Sequence, residues 1–107
     1  MIRILLDHCV PKRLRRLFPN YDVRTTREME WGGLSNGKLL TEAALNGFDV
    51  FLTVDQNIKY QQNLEKLPIA IVVLIASDNR FVTLAPMADK VEAALQMLTP
   101  KTLTEIS

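Results

Sequence analysis

The sequence predicts an α/β domain: a three-layer sandwich around a central, mainly parallel sheet of four to five strands. Short runs rich in apolar and branched residues recur at Ile2–Leu6, Tyr21–Thr25, Asp49–Thr53 and Ile69–Ile75. The first, third and fourth lack the in–out alternation of a half-exposed strand, the mark of strands covered on both faces. Segments with helical spacing fill the gaps between them, and this alternation implies parallel pairing with helices on both faces. At 107 residues the chain makes a single domain, spanning 1–107.

Each element has a local reason. Ile2–Leu6 ends in the polar pair Asp7-His8. Pro11 suits a first helical turn, and Lys12–Phe18 places Leu14, Leu17 and Phe18 at helical spacing before Pro19-Asn20 closes the segment. Tyr21–Thr25 reads as a weaker strand nearer an edge. Arg27–Gly33 suggests a short helical turn running into Gly32-Gly33. Ser35 or Asn36 then caps a helix through Leu39, Leu40, Ala43, Ala44 and Leu45, with Gly47 just past its end. Asp49–Thr53 is a third strand running into Asp55, followed by a polar helical turn through Tyr60 and Gln62. Pro68 introduces Ile69–Ile75, the most apolar segment. After Asp78-Asn79, a helix begins near Pro86 with Val91, Ala94, Leu95 and Leu98 facing inward, and Thr99-Pro100 stops it. Lys101–Ser107 either adds a short edge strand or frays.

Bulk properties exclude several classes. The formal net charge is +1, so no global field draws the chain to nucleic acid or membrane, and any anion affinity must be local. The single cysteine, Cys9, rules out an internal disulfide and fits a reducing compartment. The apolar start is too short for a signal peptide, and Ile69–Ala76 is too short to span a bilayer. A cytoplasmic protein with no membrane partner is expected. There is no glycine-rich phosphate loop, zinc spacing or serine–histidine–acid order.

In parallel sheets, ligands bind at the carboxyl ends of the strands where the winding reverses. Asp7 and Asp55 both follow strands, so if the first and third strands are neighbours their carboxylates converge. A hard cation such as Mg²⁺ relieves the repulsion and needs only one or two carboxylates. The alternative is that each aspartate merely caps the helix after it. Thr53, Asn57 and Asn36 can complete a ligand shell or orient water. His8 can contact phosphate or act as a base, although neighbours in an extended chain point opposite ways. Cys9 is expected to be a small buried thiol. Lys12, Arg13, Arg15 and Arg16, with Arg24 and Arg27, form the only local basic excess, for which backbone phosphates are a natural target. Trp31 belongs to a core or interface, or stacks on a base. Tyr60-Gln61-Gln62-Asn63 offers amides to a partner.

With ILLDHCVP near the start and VFLTVDQN near the middle, the chain resembles the short PIN-like proteins, compact relatives of the PIN-domain ribonucleases. The resemblance runs from Ile2 to about Leu74. It implies a PIN-like fold and Mg²⁺- or Mn²⁺-dependent cleavage of RNA, with metal on Asp7 and Asp55. Thr53 and Asp55 match the family's threonine-x-aspartate-x-aspartate, whose second acid is here Asn57. Asn36 stands where another acid usually opens a helix, and His8 where glutamate often follows the first aspartate. By this resemblance Asp7, Asp55, Asn57 and Asn36 are the catalytic set, with His8 and Thr53 beside the substrate, and Arg13, Arg16 and Arg27 are the phosphate contacts expected of the basic run if their faces point towards the crevice. Such relatives include toxin members of toxin–antitoxin pairs, which implies a small antitoxin-like partner, and they often form homodimers. Two rivals remain. One is a PIN-like module that binds RNA or protein without cutting. The other is a phospho-receiver-like domain, suggested by acids after strands one and three with Ser77 after strand four, but lacking the paired acids of a receiver.

Overall fold

Each of the four apolar runs becomes a strand one or two residues shorter than its sequence pattern. In the computed structural model, which describes residues 1–107, these are β1 (Arg3–Leu6), β2 (Asp22–Thr25), β3 (Val50–Thr53) and β4 (Ala70–Leu74). The tail adds β5 (Leu103–Ile106), the edge strand that was one of its two expected outcomes. All pairings are parallel, and the sheet order is β2-β1-β3-β4-β5. The winding therefore reverses between β1 and β3.

Alternate residues of the inner strands feed two separate cores. Ile4, Leu6, Val50, Leu52, Val72 and Leu74 pack on one face. There they meet Leu14 and Phe18 of the β1–β2 connection, and Leu84, Val91 and Leu95 of the C-terminal helices. Leu5, Phe51, Ile71 and Val73 pack on the other face against Leu39, Leu40 and Ala43, with Ile58 and Leu67. The sheet is thus the middle of three layers. Leu5, Leu6, Phe51, Ile71 and Leu74 have no exposed surface, and each contributes about 1.5–3 kcal/mol relative to remaining in water.

Helix α1 (Asn36–Leu45) ends as its sequence predicts. Gly47 adopts φ 81°, its N–H reaches the Ala44 carbonyl at 3.2 Å, and the Phe48 N–H reaches Ala43 at 3.0 Å. This paired closure needs a residue in the left-handed region, where glycine carries no Cβ penalty. Ser35 occupies the cap position but makes no side-chain cap bond, and Asn36 is the first helical residue. The cap expected of either residue's side chain is therefore absent. Helix α2 (Ile58–Gln61) is the polar turn after Asp55. Helix α3 (Phe81–Leu84) was not expected from sequence. It leads through a 3-10 turn containing Pro86 into α4 (Ala88–Gln96).

Lys12–Leu17 forms a 3-10 helix and not the expected α-helix. The Leu14 N–H bonds the Pro11 carbonyl and the Phe18 N–H bonds Arg15, both at 3.0 Å. Four of its six residues are basic, only Leu14 is buried, and Leu17 is 37% exposed. One short turn with so little apolar surface has little to gain from α-helical packing. Arg27–Gly33 forms turns with no assigned helix. No helix is long and apolar enough to cross a membrane.

Candidate functional site at the ends of β1 and β3

The last paired positions of β1 and β3 are Leu6 and Leu52. One residue further on, Asp7 stands beside Thr53, with the Asp7 N–H on the Leu52 carbonyl at 2.9 Å. Asp7 is 4% exposed and Thr53 is fully buried. The Thr53 hydroxyl donates to Asp7 Oδ2 at 2.7 Å and accepts from the Asp55 N–H at 3.0 Å. One hydroxyl thus connects the two aspartate positions across neighbouring strands, at the reversal point where parallel sheets bind ligands. Thr53, expected to support the site, is its central connection.

Neither aspartate simply caps a following helix. Asp7 Oδ1 accepts the His8 N–H at 2.8 Å and meets the His8 Nδ1 at 2.9 Å. A carboxylate only accepts, so this contact puts the imidazole proton on Nδ1 and leaves Nε2 towards solvent. The expectation that His8 points away from Asp7 fails because the chain stops being extended after Leu6. The Val10 N–H turns back onto the Asp7 carbonyl at 2.9 Å, which brings the ring alongside. Asp55 Oδ1 accepts the Asn57 N–H at 2.9 Å, a local turn that leaves its second oxygen without a partner in the chain.

Cys9 lies half-buried beside this network, its thiol 3.5 Å from Asp7 Oδ2. Burial pushes its pKa up, and the Asp7 charge adds to that rise although the Val54 backbone works against it. The thiol therefore stays protonated, unsuited to nucleophilic attack. Asn57 is exposed. The Asn36 amide donates to Gln61 at 3.1 Å, and no hydrogen bond joins it to either aspartate. Trp31 packs edge-on against Phe48, with ring centroids 6.0 Å apart, as part of the second core.

No protein-family model, curated protein or solved structure matches this chain.

The basic residues divide into distinct groups. Arg15 is held by Glu28 through two contacts of 2.9 and 3.0 Å, and Arg24 by Asp22 at 2.9 Å. Arg13 lies over the Phe81 ring at 4.5 Å. Arg16 and Arg27 form no ion pair. Lys12, Arg13, Arg15 and Arg16 line an open depression of about 540 Å³. A second recess of about 420 Å³ brings Asp7, His8, Lys12, Thr25, Thr26 and Arg27 together. Lys12 belongs to both, so the basic surface is continuous with the Asp7 position. Arg27 reaches the site, whereas Arg13 and Arg16 lie one depression away.

Thr25 and Glu28 fix the backbone turn that carries Arg27. The Thr25 N–H bonds Glu28 Oε1 at 2.9 Å, and the Glu28 N–H bonds Thr25 Oγ1 at 3.1 Å. This is a reciprocal capping box around a single helical turn, closed by the Met29 N–H on the Thr25 carbonyl at 3.2 Å. Sequence reasoning missed it, although Thr25-x-x-Glu28 is its signature.

The donor set suits a hard divalent cation: two carboxylates with amide and hydroxyl oxygens nearby. No group of three or more His, Cys, Asp and Glu side chains is placed to hold a metal ion.

Proposed function

We propose that this protein is a divalent-metal-dependent ribonuclease whose reacting centre lies between Asp7 and Asp55. The observation that carries the reading is the Thr53 bridge, which fixes a buried carboxylate and the backbone of a second aspartate at the winding reversal. Asp7 and Asp55 would hold Mg²⁺ or Mn²⁺, and Asn57 would offer an amide oxygen. When bound, the cation supplies Lewis-acid activation and neutralises charge developing on the phosphodiester. The chain's own part is positioning: Thr53 orients Asp7, and Lys12 and Arg27 attract the strand's phosphates. The RNA substrate, a toxin-like role with a small antitoxin-like partner, and homodimer formation come from the PIN-like resemblance of ILLDHCVP and VFLTVDQN.

One observation favours a second reading, a module that binds RNA or protein without cutting. Both Asp7 oxygens already accept hydrogen bonds from the chain, through Thr53 and His8. Calorimetric titration with Mn²⁺ separates the two. The nuclease reading expects binding in the wild type, loss of it in Asp55→Asn, and RNA cleavage that disappears in Asp7→Asn. Absence of Mn²⁺ binding at millimolar metal would leave the binding module.

A further inference from the structure

The recess on the β2 side of Asp7 has a composition that metal chemistry alone does not require. Lys12 has a 61% exposed side chain and only a loose 4.0 Å contact with Glu28, which Arg15 already holds. Arg27 is exposed, unpaired, and carried on the turn that the Thr25–Glu28 capping box fixes. Between them in the chain's turn, Thr26 is only 2% exposed. Thr26 is one of the residues that line the recess. Two cations with a threonine hydroxyl in the same recess are what a phosphate group needs.

We infer that the recess formed by Lys12, Thr26 and Arg27, with Thr25 and His8 at its sides, is a phosphate subsite for a non-reacting phosphate of the bound strand. This rests on the proposed ribonuclease reading and adds a direction to it. Because β2 and β3 flank β1 on opposite sides, a strand with its scissile phosphate between Asp7 and Asp55 leaves the centre over β2, towards the depression lined by Arg13 and Arg16.

The test is fluorescence anisotropy of an end-labelled single-stranded RNA in EDTA, titrated at several salt concentrations. The double variant Lys12→Gln/Arg27→Gln should weaken binding by about 10- to 100-fold and reduce the salt slope by about 0.7, the contribution of one single-strand phosphate. Thr26→Val should weaken it about tenfold while leaving the slope unchanged. Arg24→Gln, which removes an ion-paired cation outside the recess, should leave affinity within about twofold. The subsite is overturned if the wild type does not bind, if the double variant binds normally, or if Arg24→Gln weakens binding as much as the double variant. Because the assay contains no free metal, it reads the subsite separately from Mn²⁺ binding. Loss of Mn²⁺ binding with this RNA affinity intact would remove the metal chemistry and keep the subsite. The reverse pattern would remove the subsite alone.

Discussion

Replacing Thr53 with valine preserves shape and deletes one hydroxyl, so its effect can be worked out from two contacts. The hydroxyl donates to Asp7 Oδ2 at 2.7 Å, and Asp7 is 4% exposed. Loss of a hydrogen bond to a buried charged acceptor costs about 1.5–3 kcal/mol. The only other donor to that oxygen is the Cys9 thiol at 3.5 Å, a weak one. The Asp55 N–H also loses its acceptor, for up to about 1 kcal/mol more. The expected destabilisation is about 2–4 kcal/mol, a large share of the roughly 5–15 kcal/mol typical of a domain. In urea unfolding this moves the midpoint down by about 1–2 M for an m-value near 2 kcal/mol/M. Thr53→Ser keeps the hydroxyl, loses one methyl group, and should cost only about 1 kcal/mol. A double-mutant cycle with Asp7→Asn should return a coupling of about 1–3 kcal/mol. If Thr53→Val proves no less stable than Thr53→Ser, the bridge between the two strands is geometric only and the reasoning fails.

Two further expectations concern pH. The Tyr21 hydroxyl donates to Glu92 at 2.9 Å, and partial burial together with that carboxylate raises the tyrosine pKa. The resulting stability is fully present below the unfolded value near 10 and is lost as pH rises through the folded pKa. The gap between wild type and Tyr21→Phe in denaturant titrations should therefore shrink only in strong alkali, and a gap unchanged there would refute the assignment. Glu28 is shifted the opposite way, first by the Thr25 N–H and then by Arg15. Glu28→Ala should cost about 1 kcal/mol at neutral pH through loss of the capping box. The difference from wild type should close as pH falls through the lowered pKa, and a difference constant from neutral pH to pH 3 would show that the charge contributes nothing.

Much of the fold was legible because burial on both faces leaves a pattern that short range can read. Apolar runs ending at Leu6, Thr53 and Leu74, separated by helix signals, are sufficient to specify parallel pairing. Gly47 likewise marked the end of α1 through local geometry alone. Asp7 and Asp55 could be singled out because both follow strands. That Asp7 and Thr53 meet depends on the pairing of β1 with β3, and residues 46 apart cannot announce it locally. His8 was misjudged because an extended chain was assumed one residue past the strand's end. Arg13 stacks on Phe81, a residue supplied by a helix that carried no sequence signal. The Thr25–Glu28 box was visible in four consecutive residues. It was overlooked because the segment after it never becomes a helix.

The Thr53 bridge has a consequence for how bound molecules can be detected. Its two halves come from segments that are adjacent only in the native sheet, since parallel strands must be joined by crossovers and not by tight hairpins. Chains dominated by such distant pairings fold slowly, and their partly folded forms lack the meeting point altogether. A molecule that touches Asp7 and Asp55 together thus has no unfolded form to bind, and its binding stabilises the fold by an amount set by its concentration relative to Kd. Saturation at about 100 times Kd should raise the unfolding free energy by about 2.7 kcal/mol. A melting curve can therefore identify what this meeting point of the two strands accepts.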